Sequence, residues 1–222
     1  MKKILFALCL LVLCACGKKK AVLLPEIQNA KITEIKDVSP AYLFYDETKP
    51  DSLDLNRANL IISTNWLVNV DKRLTLKQVI PAIKKLQNKK RNSSHKNENA
   101  RNYYTCNDTS IKNLGFIDFT DVVYRVGDED VELENDYDIY HLIVDKEKQI
   151  QIVDTNRKII KTDFKNVIEV LQDLSEKAKL QNMLTLSFIK NISFQDYITI
   201  KALLLSAEID NLKISNSEFI SD

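Results

Sequence analysis

Four cysteines and two histidines are the residues of this chain best suited to covalent or metal chemistry, and their placement limits both. Cys9, Cys14 and Cys16 crowd the N-terminus, while Cys106 stands alone in Tyr-Tyr-Thr-Cys-Asn-Asp. A thiolate beside an imidazole makes a nucleophile, yet nothing in the spacing brings Cys106 to His95 or His141. Neither G-x-S-x-G nor H-E-x-x-H can be found. Gly17, Gly115 and Gly127 are the only glycines, so no glycine-rich phosphate loop can be written. Carboxylates are plentiful, but position singles out no acid pair. The sequence therefore nominates no catalytic residue, no metal ligand set and no cofactor. His141 flanks an apolar run and reads as a sheet-face histidine. Trp66 reads as a ligand-stacking platform or, more simply, as a packing residue.

The one cysteine with a chemical context is Cys16. Lys2 and Lys3 precede an unbroken apolar run from Ile4 to Leu13. That run is too short to cross a hydrocarbon layer of ~30 Å as a helix, and it has the form of an export signal. Its end, Leu13-Cys14-Ala15-Cys16, resembles the bacterial lipobox. The resemblance implies cleavage after Ala15 and acylation of Cys16, with the chain held to a membrane by its lipid. Gly17 stands where some lipoproteins carry an inner-membrane retention aspartate, which implies the periplasmic face of the outer membrane. Lys18, Lys19 and Lys20 read as a solvated tether or as contacts to anionic head groups at ~1 kcal/mol per charge. Once Cys9 and Cys14 leave with the signal, Cys106 is a lone free thiol and no internal disulfide is expected.

The 222 residues are 45% hydrophobic and 28% charged, enough apolar content for a packed core, with a net charge of +1. Such a balance offers no electrostatic case for nucleic acid. The elements that must position any site follow from local patterns. Residues 16–39 read as a polar tether. Ala41 to Tyr45, Leu60 to Ile62 and Trp66 to Val70 are strand candidates. Thr75 and Gln78 form a capping-box pattern ahead of Leu76, Val79, Ile80, Ile83 and Leu86 at helical spacing, with Pro81 expected to kink that helix or delay its start. The basic run from Asn88 to Arg101 reads as an exposed loop or a contact for an anionic partner such as lipid or polysaccharide. Phe116 to Phe119 and Val122 to Tyr124 resume strand character. The acidic run 128–138 reads as a linker between a region 40–127 and a region 139–222, since it lacks the calcium-loop pattern.

The C-terminal region is more regular. Tyr140 to Val144 and Gln149 to Val153 predict a hairpin, and Thr162 is placed to cap a helix carrying Phe164, Val167, Ile168, Leu171 and Leu174. Met183 to Ile189 predicts a strand, Ser193 caps a helix bearing Phe194, Tyr197, Ile200 and Leu204, and Leu212 to Ile214 closes as a short strand. The order is β-β-α-β-α-β, an α+β arrangement of mixed sheets with helices on one side. The segments 60–64, 66–70 and the Thr75 helix echo 142–145, 149–153 and the Thr162 helix, which suggests a degenerate duplication.

Residues 140–220 resemble the periplasmic domain of the ExbD/TolR family of biopolymer-transport proteins. The likeness is sharpest from Leu184 through Ile198, where a strand passes through a polar turn into a capped helix, and from Ala202 to Ile214. It implies a dimerising, partner-binding domain without catalytic residues. The membrane helix and proton-handling aspartate of that family have no counterpart here. The expectation is a lipid-anchored, non-enzymatic envelope protein that binds an envelope protein or a second copy through residues 208–220, with Leu212, Ile214, Phe219 and Ile220 as contacts. The alternatives are a periplasmic glycan- or peptide-binding lipoprotein and an enzyme of unrecognised type.

Overall fold

The computed structural model of the chain describes residues 20–127, 138–145, 147–154, 156–178 and 181–222. Alternating burial makes the strands. In β2 (Val38–Tyr45) the side chains of Ser39, Ala41 and Leu43 are buried and their neighbours are not. The same alternation puts Trp66, Val68 and Val70 of β4 (Asn65–Val70) inward. The first sheet runs β3 (Leu53–Asn56), β2, β4, β5 (Asn102–Asp108) and β6 (Asn113–Asp118). β2, β4 and β5 are parallel, and β3 and β6 are antiparallel to their neighbours. The short β1 (Glu26–Ile27) takes over the β4 side of β5 at Asn107 and Asp108.

The second sheet has the order β10 (Ile159–Thr162), β9 (Ile150–Val153), β8 (Asp138–Val144), β11 (Asn182–Ile189), β12 (Leu212–Ser221) and β7 (Val123–Val126). Its last four strands are mutually parallel. Helix α1 (Leu76–Arg91) connects β4 to β5, α2 (Val167–Lys177) connects β10 to β11, and α3 (Phe194–Ala207) connects β11 to β12. Among the described residues, buried side chains of both sheets and of α1, α2 and α3 form one apolar cluster, from Leu43, Val68 and Ile80 through Phe194 and Tyr197 to Leu142, Leu171 and Leu186. Each large apolar side chain so buried stabilises the fold by about 1.5–3 kcal/mol.

The expected α+β class is observed, and four expectations are corrected. Leu60 to Ile62 is not a strand. Leu60 N–H donates to Arg57 O and Thr64 N–H to Ile61 O, so the segment is coiled into turns with Ile61 57% exposed. Pro81 does not delay the start of α1: the helix begins at Leu76, and the proline sits in its second turn on the exposed side, beside the equally exposed Lys77. Thr162 does not cap α2 but lies in β10, which adds a strand to the expected order. The turn into α2 is held instead by Asp163, whose Oδ1 accepts from Lys165 and Asn166 N–H.

The fourth correction is the tether. Residues 20–39 are laid across the domain rather than hanging from it. Leu23 O accepts from Lys72 N–H, Pro25 O from Asn107 N–H, Ile27 O from Thr109 N–H and Ile32 O from Phe116 N–H, at 2.8, 2.8, 3.0 and 2.9 Å. Ile27 is buried, and Gly115 lets the strap settle: a Cβ there would lie 2.5 Å from that of Ala30.

The internal echo is present in a different register. Strand β4, capped helix α1 and strand β5 repeat as β11, α3 and β12, and the hairpin β2–β3 repeats as β8–β9. The two copies meet where their helices begin. Thr75 and Ser193, the two N-cap residues, form an antiparallel bridge in which Leu76 N–H donates to Ile192 O and Phe194 N–H to Leu74 O.

Candidate functional site

The polar residues that reach the seam between the halves form a closed chain. Tyr104 of β5, Tyr124 of β7, Tyr197 and Lys201 of α3 and Glu218 of β12 are all buried. Tyr197 Oη donates to Glu218 Oε2 at 2.8 Å, and Lys201 Nζ donates to Glu218 Oε1. Tyr124 Oη lies 3.1 Å from Tyr197 Oη and 2.7 Å from Tyr104 Oη. Each phenol has one proton, and Tyr197 gives its own to an acceptor-only carboxylate. Tyr124 must therefore donate to Tyr197, and Tyr104 to Tyr124. Burial pushes all three phenols well above their ordinary pKa, which keeps those protons in place. The rings pack as well: Tyr104 stacks on Phe119 at 3.9 Å and meets Phe194 edge-on at 5.1 Å.

A second buried cation sits at the other end of α1. Lys90 Nζ donates to Thr64 O, Arg101 O and Asn102 Oδ1 at 3.1, 3.1 and 2.9 Å, and lies 4.9 Å from the centre of the Trp66 ring. Burial pulls its pKa down to about 8, against a smaller upward pull from Asp118. All three ammonium protons are used, so Lys90 pins the turn 61–64 and the start of β5 to the helix. Trp66 is buried beneath it, 1% exposed, with Nε1 donating to Ile61 O. It is a packing residue, without the open aromatic cleft that a glycan platform needs.

The remaining sequence candidates are scattered. Cys106 is a free thiol buried in β5, its pKa raised by burial and by Asp108. His95 lies exposed beyond α1, and His141 of β8, in the second sheet, shares a 2.6 Å hydrogen bond with Thr185 Oγ1 of the adjoining strand β11. The structure brings neither histidine into a pair with the thiol. Cys16 and residues 128–137 of the acidic run lie outside the described residues, as does any lipid chemistry at the former. Among the described residues no cluster of His, Cys, Asp and Glu is arranged for a metal ion, and no helix is long and apolar enough to cross a membrane.

The expected contact strand, β12, is an inner strand along part of its length only: Phe219 and Ile220 have no free edge, whereas Leu212 and Ile214 lie on the stretch that β7 leaves open. β11 covers one side, and β7 pairs with Ser217 to Ile220 on the other. Ile220 is buried, and the other three are half-buried. Only the stretch 212–216 extends beyond β7. A further open apolar surface lies on α3. Leu205 is 42% exposed, and Ala202, Leu203 and Ser206 beside it line a cavity of about 390 Å³ against strap residues Glu26 to Asn29. A smaller cavity of about 150 Å³ lies across the strap, between Leu205, Ile32, Phe116 and Ile117. A signal for this face existed: α3 is apolar beyond its buried stripe, at Ala202, Leu203 and Leu205.

Comparison with protein-family models, with curated proteins and with solved structures finds no match.

Proposed function

We propose that this chain is a lipid-anchored, non-enzymatic cell-envelope protein whose α+β unit is an interaction module in an assembly of the ExbD/TolR kind, facing the periplasm from the outer membrane. The observation that carries the reading is the outer face of α3. It presents an exposed leucine and two shallow cavities on a rigid helix, within the region whose sequence resembles a partner-binding domain. The pairing function of that region has an internal counterpart, since the N-terminal copy already occupies the seam at Thr75 and Ser193. The face of α3 is therefore assigned to a different envelope protein rather than to a second copy.

A photo-reactive residue in place of Leu205, in intact envelopes, tests this reading against the same residue in place of the exposed Lys165. The expected result is an adduct of defined mass with another envelope protein from position 205 and none from 165. No adduct from 205, or the same adducts from both positions, would overturn it.

A further inference from the structure

We infer that one pole of the domain, the end carrying the β2–β3 hairpin and the bridged helix N-termini, lies against the lipid head groups, so that the C-terminal end of α1 points away from the membrane. The inference rests on the proposed acylation of Cys16 and adds an orientation to it.

The distance available is set by the chain. Cys16 and Lys20 are four residues apart, so their Cα atoms are separated by at most ~14 Å. A domain of this size has a radius of gyration near ~17 Å and is roughly 40 Å across. The head-group layer itself accounts for several ångströms of the reach. A lipid at Cys16 therefore cannot hold any pole but the one where Lys20 is fixed.

Lys20 is fixed to the hairpin. Its Nζ pairs with Asp46 Oδ2 at 2.7 Å and with Asp54, which flank the turn between β2 and β3. Three residues on, Leu23 is tied to the loop before α1 by its N–H to Asp71 Oδ2 and its carbonyl to Lys72 N–H. The hairpin in turn touches the start of α1, where Gln78 Nε2 donates to Asp51 O. The equivalent hairpin β8–β9 reaches the start of α3, where Lys148 pairs with Asp196 at 2.9 Å. Strap entry, both hairpins and both helix N-termini thus share one pole. The far end of α1 is about 24 Å further along its axis.

Lys20, Lys72, Arg73 and Lys148 are each ion-paired to a neighbouring carboxylate. Apposition follows from the short reach and does not require anionic lipid. Lys20 is thereby neither a free head-group contact nor part of a solvated tether.

The chain offers a clean probe, because the mature acylated protein has only the buried Cys106 as a thiol. Full-length acylated protein carrying a fluorophore at Lys49→Cys, in the hairpin, or at Ser94→Cys, beyond α1, is placed in vesicles of zwitterionic lipid containing a head-group nitroxide. Emission from position 49 is expected to be largely quenched and that from position 94 unchanged. Twenty Gly/Ser residues inserted after Lys19 should abolish the difference. An acylated, vesicle-bound protein quenched equally at both positions, or more at 94, overturns the orientation alone. A protein that carries no acyl mass on Cys16 and does not bind vesicles overturns the anchor and the orientation with it.

Discussion

The two halves of the molecule share a backbone plan and differ in what they bury at the seam. Opposite Val68 of β4 stands Tyr104 of β5, and opposite Leu186, its counterpart in β11, stands Glu218 of β12. Counting from the two caps, Val79 and Ile83 of α1 occupy the places of Tyr197 and Lys201 in α3. The N-terminal half thus has Val79, Ile83 and the neutral phenol of Tyr104 where the C-terminal half has Tyr197, Lys201 and the carboxylate of Glu218. The contrast shows how two copies of one plan become unlike partners. The C-terminal copy brings a charge pair that it satisfies with one tyrosine of its own and two from the N-terminal region, so neither copy can be exchanged for the other. The accessories differ as well. The strap and the Lys90 pin belong to the first copy, α2 and β10 to the second.

The largest effect should come from breaking that asymmetry. Glu218→Ala leaves Lys201, only 8% exposed at its side chain, without its anion, and removes the acceptor for Tyr197. A loss of about 3–5 kcal/mol is expected in urea unfolding. Lys201→Met combined with Glu218→Gln keeps an acceptor for the phenol and should recover most of it. A double variant as unstable as the single one would show that the pair acts through something other than its charge. The next effect tests the strap. Gly115→Ala drives a methyl into Ala30 and should cost about 1–3 kcal/mol while exposing residues 20–35 to protease. Ala30→Gly in the same chain should restore both.

Which of these features were legible in the sequence follows from where each signal lies. Both caps, the helical spacing of α1 and α3, the strands at 66–70 and 183–189 and the β8–β9 hairpin are short-range patterns, and they were readable. β5 was not, because Asn102, Thr105 and Asp108 are polar yet buried. Two of these are satisfied from afar: Lys90 donates to Asn102 Oδ1, and Ala30 N–H to Asp108 Oδ2. The second half of β12 was hidden the same way, since Glu218 reads as a surface acid until Lys201 and Tyr197 are beside it. The echo was visible but out of register. The apolar triplet 60–62 imitates a strand, while the true counterpart of β8 is β2, whose Pro40 and flanking polar residues disguise it. The strap had no local pattern, because its bonds reach 26 to 177 residues along the chain.

Smaller effects compare the two caps. Ser193 Oγ accepts from Asp196 N–H at 3.1 Å, whereas at Thr75 it is Gln78 Oε1 that accepts from the cap's own N–H at 2.7 Å. Ser193→Ala should cost about 1 kcal/mol. Thr75→Ala should cost less, because the glutamine bond survives it. Equal losses would mean that the hydroxyls serve both helices alike. The smallest effect concerns pH and the C-terminal half alone. Burial lowers the pKa of His141 below its ordinary 6.5. The unfolded chain then binds the extra proton first, so this contribution to stability is full above pH 6.5 and declines as the pH falls from there toward the lowered folded value. His141→Gln should lose less melting temperature than the parent between pH 7.5 and 5.5; an unchanged slope would assign the acid sensitivity elsewhere.

That the halves fold as one unit through their seam is tested most directly by native-state hydrogen exchange of the parent and of Glu218→Ala. The amides of β4 and β5 and those of β11 and β12 should share one highest exchange free energy in the parent, and the substitution should lower both sets by the same amount. A loss confined to β11 and β12, with β4 and β5 unchanged, would contradict a common cooperative unit and make the halves separate domains that merely touch.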